Sequence, residues 1–482
     1  MLLKGGEKPR PRGASWVWRK KLLRFVVAIC LVGGFTFLLW PHLGREKIVM
    51  EDPVSNITVT SGVHCEPDFE LLARLDIKKL SGYVKREIVA TPTSDTLPIR
   101  QHLDTPLFEP LESPNPVSTP QSQDDCLIPK PVSLQVPKPP VRVDASHIDF
   151  GVATTLGRLN DSIDAFAHWA GYTQTRIFAL IEPDKEERIK EVQMKADALG
   201  INLFVEESDE EYQRRYFSLV AHLEHNMQRK TQWSCVIDDD TFFLSMPELV
   251  KALGEYDARQ PMYVGGLSES IPQVGAFGLM GFGGAGVFMS RPLIQQISEP
   301  AIFNDCLNTG HTGDRRISLC VYQNTPTRLT INHRLRQLDM TDDVSGFFEV
   351  NRLPPLSVHH WKSWFHTDMA KLSVIGELCG DGCLLRQFEF GDGWILTNGF
   401  SVMKYSVDLD PNDPSMEVTW GGQNGANIDS YLHELGPLRP KDNDKFSYAM
   451  VDTVLDGNKV RQYYVHRDPE KGDQLLELIW RA

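Results

Sequence analysis

The strongest constraint on the fold is an alternation of short apolar runs and helical patterns along residues 147–237. The runs have the length and composition of buried strands, and they lie at 147–153, 176–181, 201–205 and 233–237. Apolar residues between them recur at spacings of three and four, which predicts helices; one helix is marked by Ile189, Val192, Ala196 and Leu199. The alternation predicts an α/β fold, with an open, mostly parallel sheet and helices on both faces.

Three adjacent aspartates, Asp238, Asp239 and Asp240, directly follow the last of these strands. Ligands of open α/β sheets bind beyond the carboxyl ends of the strands, which is where the aspartates fall. Neighbouring carboxylates repel one another unless a cation neutralises them, and their oxygens suit Mn²⁺ or Mg²⁺. The apolar residues on both sides argue against a solvated acidic turn. We therefore predict a metal site that offsets the charge of a diphosphate.

The N-terminal region differs from the rest of the chain. Lys and Arg are frequent in residues 1–21, which predicts a cytosolic tail, and residues 22–41 approach the ~20 apolar residues that span a bilayer. The apolar run ends without a small-x-small cleavage site, which favours a signal-anchor over a cleaved signal peptide. The remainder should then face a lumen. The formal net charge of -14 argues against nucleic acid as a partner.

The remaining chain divides into three segments. Residues 42–145 include a region rich in Pro, Ser, Thr and Gln, which predicts an extended stem. Residues 146–375 hold the α/β pattern. Residues 376–482 contain short alternating runs and a turn at Asp456-Gly457, which predict a smaller β-rich segment.

The cysteines fit an oxidising compartment. Cys379 and Cys383 are close enough in sequence for a short-loop disulfide, and Cys306 with Cys320 would close a longer loop. A zinc site is the alternative for the close pair, but no second Cys or His pair stands at metal-ligand spacing.

Three further segments contain residue types that a site would use. They are the turn FGGAGVFMS at 282–290, Asp314 in GDRRI, and the histidines His359 and His360 in SVHHWKSWF. Glycines let backbone approach a ligand, yet they equally fit a turn before a strand. An aspartate near a helix start is usually a cap, and paired histidines are more often structural. Spacing alone therefore assigns none of them a role.

Taken together and in this order, the segments resemble the Fringe-like members of glycosyltransferase family 31. IDDDTFF, FGGAG and HHWKSW look most like the fungal and plant branch, and the likeness runs from about residue 149 to 365 and continues in LTNGFSV at 396–402. The resemblance implies a GT-A fold. It implies an inverting, metal-dependent transfer of a hexose or N-acetylhexosamine from a UDP-sugar to a hydroxyl of a glycan or glycoprotein. A single-pass type II protein of the Golgi membrane, with a lumenal catalytic domain, is expected.

The resemblance also implies roles for individual residues. Asp238 and Asp239 correspond to the nucleotide-sugar motif, and Asp240 to the direct metal ligand. The histidine segment would supply the second ligand, with His360 favoured over His359. The catalytic base is expected at Asp314, where relatives often carry two acidic residues and this chain has Gly-Asp. The residues expected along the nucleotide, donor sugar or acceptor are Thr154, Thr155, Arg158, Gly284, Ala285 and Gly286.

Two other classes of protein compete with this interpretation. A glycosidase would use two carboxylates that flank the scissile bond, without a metal. A catalytically inactive relative would act as a lumenal carbohydrate-binding or scaffold protein. Chelation of the metal separates the first alternative, and a test for transfer separates the second.

Overall fold

The computed structural model describes residues 58–59, 68–108, 130–139, 143–410, 413–422 and 427–482. The predicted tail at 1–21 and signal-anchor at 22–41 lie outside the described residues. Within the described ranges, every helix is too short or too polar to cross a bilayer.

A seven-stranded central sheet forms the framework of the α/β part. In spatial order its strands are Leu329–Ile331, Tyr263–Gly265, Val287–Ser290, Trp233–Ile237, Ile148–Thr154, Arg176–Ile181 and Asn202–Glu207. Only Val287–Ser290 runs antiparallel to its two neighbours in this sheet; the other pairings are parallel. The prediction of an open, mostly parallel sheet is confirmed.

Helices cover both faces of the central sheet because alternate residues of each buried strand point in opposite directions. In strand Ile148–Thr154, Phe150 packs in one core together with helix Leu156–Ala170. The next residue, Gly151, lies under helix Tyr212–His225, where a Cβ would come within 3.0 Å of a leucine of that helix. The other helices of six or more residues in this part are Glu186–Ala198, Met246–Leu253, Ile271–Phe277, Arg291–Ile297, Pro300–Leu307 and Gly313–Asn324.

A second, ten-stranded sheet is built mainly by the C-terminal part of the chain. The predicted β-rich segment is present, and its hairpin turns at Asp456-Gly457. In spatial order the strands are Thr58–Val59, Lys79–Thr93, Asp473–Arg481, Lys459–His466, Phe446–Asp456, Ser401–Lys404, Ile395–Thr397, Gln387–Glu389 and Arg100–His102, and Val132–Pro137 also pairs with Lys79–Thr93.

The stem predicted for residues 42–145 needs correction where the structure describes it. Lys79–Thr93 pairs in parallel with the C-terminal strand Asp473–Arg481, and Val132–Pro137 adds to its other side. The physical reason is the alternation of apolar and polar residues in 132–136, which buries Val132, Leu134 and Val136 on one face despite the surrounding prolines. This part of the predicted stem is folded sheet.

Two disulfides are present in the described residues. Cys306 on helix Pro300–Leu307 is bonded to Cys320 on helix Gly313–Asn324, and Cys379 is bonded to Cys383. Both pairings are those considered from the sequence. Among the described cysteines, Cys235 is free and buried in its strand.

Candidate active site

The aspartates and the histidines meet because two short strands pair beside the central sheet. Strand Trp233–Ile237 is fully buried and delivers Asp238, Asp239 and Asp240 at its carboxyl end. The chain then forms strand Phe242–Phe243, which pairs antiparallel with Ser357–Val358. His359 and His360 directly follow that partner strand, so two motifs more than a hundred residues apart in sequence become neighbours.

Asp239 is held by residues from the turn after the first strand of the domain. Arg158 donates to both of its carboxylate oxygens, at 2.7 and 2.6 Å, and the Thr154 hydroxyl donates to one of them. Thr155 caps the helix that carries Arg158, accepting the Arg158 N–H at 3.3 Å. The middle aspartate thus fixes the Thr154–Arg158 turn against the strand end, and the guanidinium neutralises its charge.

Asp240 and Asp238 share one imidazole. His359 Nε2 lies 2.9 Å from Asp240 Oδ1 and 3.2 Å from Asp238 Oδ2. Burial disfavours the charged imidazole, but the carboxylates of Asp240 and Asp238 outweigh it and raise the pKa of His359 to about 10. Burial likewise opposes the ionised Asp240, yet His359 holds its pKa below the usual range. A positive charge therefore already sits between two of the three aspartates.

His360 is held in an unusual backbone conformation. Its φ of 61° lies in the left-handed region, which non-glycine residues seldom adopt. The ring stacks on Trp364 with centroids 3.6 Å apart, and Nε2 lies 3.2 Å from Asp339 Oδ1. Nδ1 lies 3.4 Å from the Ser363 hydroxyl, which itself donates to Asp240 Oδ2. The second histidine is thus oriented by fixed neighbours and reaches Asp240 through Ser363.

Asp240, His359 and His360 form a group that can hold a metal ion. One ligand atom from each lies within 4.8 Å of the others. One carboxylate with two imidazoles is a donor set for a divalent transition metal, and it suits Mn²⁺ better than the oxygen-preferring Mg²⁺. The residues fit the predicted metal. The sequence favoured His360, whereas His359 makes the direct contact with Asp240.

The glycine-rich turn packs directly against the metal group. Gly284 is packed against the His359 ring so closely that a Cβ would lie 2.1 Å from Nδ1. The Gly284 carbonyl accepts the Thr241 hydroxyl at 2.9 Å, the Ala285 carbonyl accepts the Ser357 hydroxyl at 2.6 Å, and Gly286 has a φ of 93°. The turn therefore joins the aspartate strand to the histidine strand; a direct role of Gly284, Ala285 or Gly286 in ligand binding stays a prediction.

Asp314, Asp238 and His360 line one cavity of about 270 Å³. Asp314 lies in the first turn of helix Gly313–Asn324, where it accepts the Arg315 N–H at 2.8 Å and the Gly283 N–H at 3.5 Å. Burial, with the Asp238 carboxylate, raises the pKa of Asp314 to about 6. The cavity is lined by Tyr212, Gln213, Tyr216, Asp238, Gln273, Phe277, Met280, Phe282, Thr312, Gly313, Asp314, Gln337, Asp339, His360 and Trp364.

A larger cavity of about 800 Å³ lies elsewhere, between helix Leu156–Ala170 and residues 368–381, and it contains none of the predicted site residues. The smaller cavity is the candidate active site because it collects the perturbed carboxyl group, an aspartate of the triplet and a histidine.

Several residues of this site carried no role in the sequence interpretation. Asp339 and Gln337 lie on an irregular stretch whose sequence shows no motif, and Tyr216 is one of the buried positions of helix Tyr212–His225. Lys362 stands inside HHWKSW, and its ammonium donates to the Ser162 hydroxyl at 2.6 Å, next to the Asp239 backbone. The signal for Lys362 was present in the motif; for the others only the fold brings them to the cavity.

Residues 188–345 match the Fringe-like family. The chain contains a Fringe-like domain. The matched range includes the aspartate triplet, the glycine-rich turn and Asp314, whereas the Thr154–Arg158 turn and the two histidines lie outside it. The match confirms the resemblance to the Fringe-like family over these residues and supports a glycosyltransferase. No curated protein sequence is significantly similar to the chain.

Solved structures similar to this chain include three glycosyltransferases. A mannosyltransferase from Pyrobaculum calidifontis, in complex with GDP-Man and Mn²⁺, is 12% identical over 41% of this chain and 58% of its own, with a TM-score of 0.29. The galactosyltransferase LgtC, with donor and acceptor sugar analogues, is 11% identical over 44% and 86%, with a TM-score of 0.30. Mouse xyloside xylosyltransferase 1 is 10% identical over 44% and 96%, with a TM-score of 0.30. Such remote likeness says nothing about the chemistry of this chain.

Proposed function

We propose that the Fringe-like chain transfers a hexose or N-acetylhexosamine from a UDP-sugar to a hydroxyl of a glycan or glycoprotein, with inversion at the anomeric carbon. Asp240, His359 and His360 would hold a divalent metal, Mn²⁺ or Mg²⁺. One observation carries the proposal: Asp314 lines the same 270 Å³ cavity as Asp238 and His360. A candidate proton acceptor and one residue of the metal group thus line the same cavity.

Asp314 is suited to remove the proton from the acceptor hydroxyl. With a pKa of about 6 it is mostly ionised at neutral pH, yet it is a stronger base than an ordinary aspartate. The N–H groups of Arg315 and Gly283 hold its carboxylate toward the cavity. The acceptor oxygen, within about 2.6–3.2 Å of the carboxylate, then attacks the anomeric carbon from the face opposite the leaving diphosphate. A single displacement of this kind inverts the configuration.

The strand end and the turn around Arg158 would receive the nucleotide. A bound metal would supply positive charge to the diphosphate. Arg158, whose side chain is 58% exposed although it pairs with Asp239, and Lys362 add two cations of the chain itself near the same point. Trp364, stacked flat on His360, offers an aromatic wall against which a sugar ring can lie.

The experiment is UDP release by the purified full-length chain from a panel of UDP-sugars, with Mn²⁺ and with EDTA. We expect release from at least one donor with Mn²⁺ and none with EDTA. Asp314→Asn removes the proposed base. Its matched control is Asp257→Asn, which makes the same substitution at an exposed side chain remote from the cavity. A glycosidase would be indifferent to EDTA, and a carbohydrate-binding scaffold would release no UDP under any condition; either result would overturn the proposal.

We also propose that the chain is a single-pass type II protein of the Golgi membrane, anchored by residues 22–41. The basic tail and the apolar run support this. The two disulfides, Cys306–Cys320 and Cys379–Cys383, suit an oxidising lumen. Protease protection of a C-terminal tag in intact microsomes tests the topology: digestion of the tag without detergent would contradict it.

A further inference from the structure

The hydroxyl of Tyr216 has no hydrogen-bond partner among the residues that the structure describes. Tyr216 lies on helix Tyr212–His225, is 4% exposed, and lines the candidate active-site cavity. A buried hydroxyl without a partner destabilises a protein, and most buried tyrosines avoid this. Phenylalanine at this position would avoid that cost. We therefore look for the partner of the hydroxyl in a bound ligand and not in the folded chain.

Two glycines make room for the Tyr216 side chain. A Cβ on Gly313 would lie 2.2 Å from a ring carbon, and a Cβ on Gly283 would lie 1.7 Å from the hydroxyl oxygen. That Cβ on Gly283 would also lie only 3.5 Å from Asp238 Oδ1. The Gly283 N–H in turn points to Asp314. The hydroxyl oxygen therefore occupies the space that a side chain on residue 283 would need, close to Asp238, and Asp314 contacts the same glycine.

The charge around this oxygen decides what it can bind. Burial, together with the carboxylates of Asp238 and Asp314, raises the pKa of Tyr216 far above its ordinary value, so the phenol stays neutral and keeps its proton. A ligand group next to it must accept that proton in a hydrogen bond and must tolerate two neighbouring carboxylates. A sugar hydroxyl does both, because it accepts from the phenol and donates to a carboxylate.

We infer that Tyr216 donates a hydrogen bond to a ring hydroxyl of the transferred sugar and so helps to select the donor. The inference rests on the proposed function, since it assumes that the sugar lies between the nucleotide end of the cavity and Asp314. In that arrangement the same sugar hydroxyl accepts a hydrogen bond from the phenol of Tyr216 and donates one to the carboxylate of Asp238. Donors that lack this hydroxyl are then disfavoured, because only the complete donor supplies a hydrogen-bond partner to the buried phenol.

The test combines Tyr216→Phe with donors that lack one ring hydroxyl each. The donor that the wild-type chain uses fastest is compared with its singly deoxygenated UDP-sugar analogues, at saturating Mn²⁺, by kcat/KM for UDP release and by Kd. One analogue should cost the wild type about tenfold in kcat/KM. Tyr216→Phe should lose several-fold in kcat/KM with the complete donor and should discriminate against that analogue less than the wild type does, because only Asp238 still binds the hydroxyl. Affinity for UDP alone should not change.

A second variant separates recognition from folding. Tyr464→Phe, in the ten-stranded sheet, loses the bonds of a buried hydroxyl to the Gly399 N–H and to Gln462, each at 3.1 Å. It should lower the melting temperature and leave the donor profile unchanged, whereas Tyr216→Phe should not lower the melting temperature. If Tyr216→Phe discriminates among the analogues as the wild type does, the inference is wrong while the transferase activity stands. If the wild-type chain uses no UDP-sugar, both the inference about Tyr216 and the proposed function are wrong.

Discussion

Replacement of Asp314 by asparagine should abolish transfer and stabilise the protein at the same time. Burial and the Asp238 carboxylate raise the pKa of Asp314 from 3.8 to about 6. The folded protein therefore binds this proton more tightly than the unfolded chain does. The stability that the protonated group contributes is present below pH 3.8 and is lost as pH rises through 6. At about 1.4 kcal/mol per pKa unit, the loss reaches about 3 kcal/mol at pH 7.5.

Asparagine is neutral at every pH and nearly the same shape, so it escapes this loss. It can still accept the 2.8 Å bond from the Arg315 N–H and gives up only the longer contact with Gly283. We expect the variant to be more stable than the wild type by about 2–3 kcal/mol at pH 7.5, with no difference near pH 4. Because an amide removes no proton, transfer should fall by about 10²–10⁴-fold.

Urea unfolding in EDTA at pH 4 and pH 7.5 measures the stability difference, and UDP release with Mn²⁺ measures the activity. In the wild type, kcat/KM should rise with pH through an inflection near 6, since Asp314 must be ionised to act as the base. Asp149→Asn is the matched control with the opposite sign. Asp149 is buried and accepts two bonds from Arg176 at 2.9 and 2.7 Å, so this substitution should destabilise by about 3–5 kcal/mol.

Two results would refute the reasoning, and each points to a different error. If Asp314→Asn is no more stable than the wild type at pH 7.5, the carboxyl group is not penalised by its surroundings in solution. If the variant is more stable but still transfers sugar at the wild-type rate, Asp314 is buried but is not the base.

Three further predictions concern the metal group and its support. Asp240→Asn should lose Mn²⁺-dependent UDP binding by calorimetry while the fold, by circular dichroism, is kept; normal binding would exclude Asp240 as a ligand. Gly284→Ala should destabilise by about 1–3 kcal/mol in urea unfolding and weaken Mn²⁺ binding, because its methyl group would displace the His359 ring, 2.1 Å away. Arg158→Gln should raise the KM for the donor several-fold through the freed charge of Asp239, and an unchanged KM would argue against a nucleotide site at this turn.

The elements that sequence patterns predicted best are those with strong local signals. Strands Arg176–Ile181 and Trp233–Ile237 have the predicted bounds, because each is a short, mostly apolar run bounded by polar residues. Gly200, shortly after helix Glu186–Ala198, has a φ of 72°, the left-handed conformation that glycine commonly supplies after a helix. These features depend on neighbours in sequence, which a pattern can show.

The ten-stranded sheet shows what such patterns miss. Lys79–Thr93 pairs with Asp473–Arg481, nearly four hundred residues away, and local composition contains no trace of that partner. The prolines in the same region suggested an extended stem, although Pro92 and Pro137 lie at the paired ends of two strands. Long-range pairing overrides a weak local preference when it buries an alternating apolar face.

The site was predictable in its parts but not in its assignment of partners. The motifs identified Asp240, Asp314 and the two histidines, and the fold brings all of them to one region. Which histidine contacts Asp240 depends on the register of Ser357–Val358 against Phe242–Phe243, which no motif encodes. The role inferred for Tyr216 was equally invisible in the sequence, because it depends on the packing of two glycines from distant segments against its side chain.

The sequence predicted that one cation neutralises all three aspartates of the triplet. In the structure, two different side chains of the protein pair with them. Asp239 is neutralised by Arg158, so it adds no repulsion to the other two. Asp238 and Asp240 share the His359 imidazolium, which occupies the position of a cation between them. A divalent metal that binds Asp240 and His359 must displace that proton, and so its affinity should increase with pH, approaching its limit only as pH nears the His359 pKa of about 10. The Asp240 carboxylate thus serves both the fold without metal, through its ion pair with His359, and the proposed binding of metal.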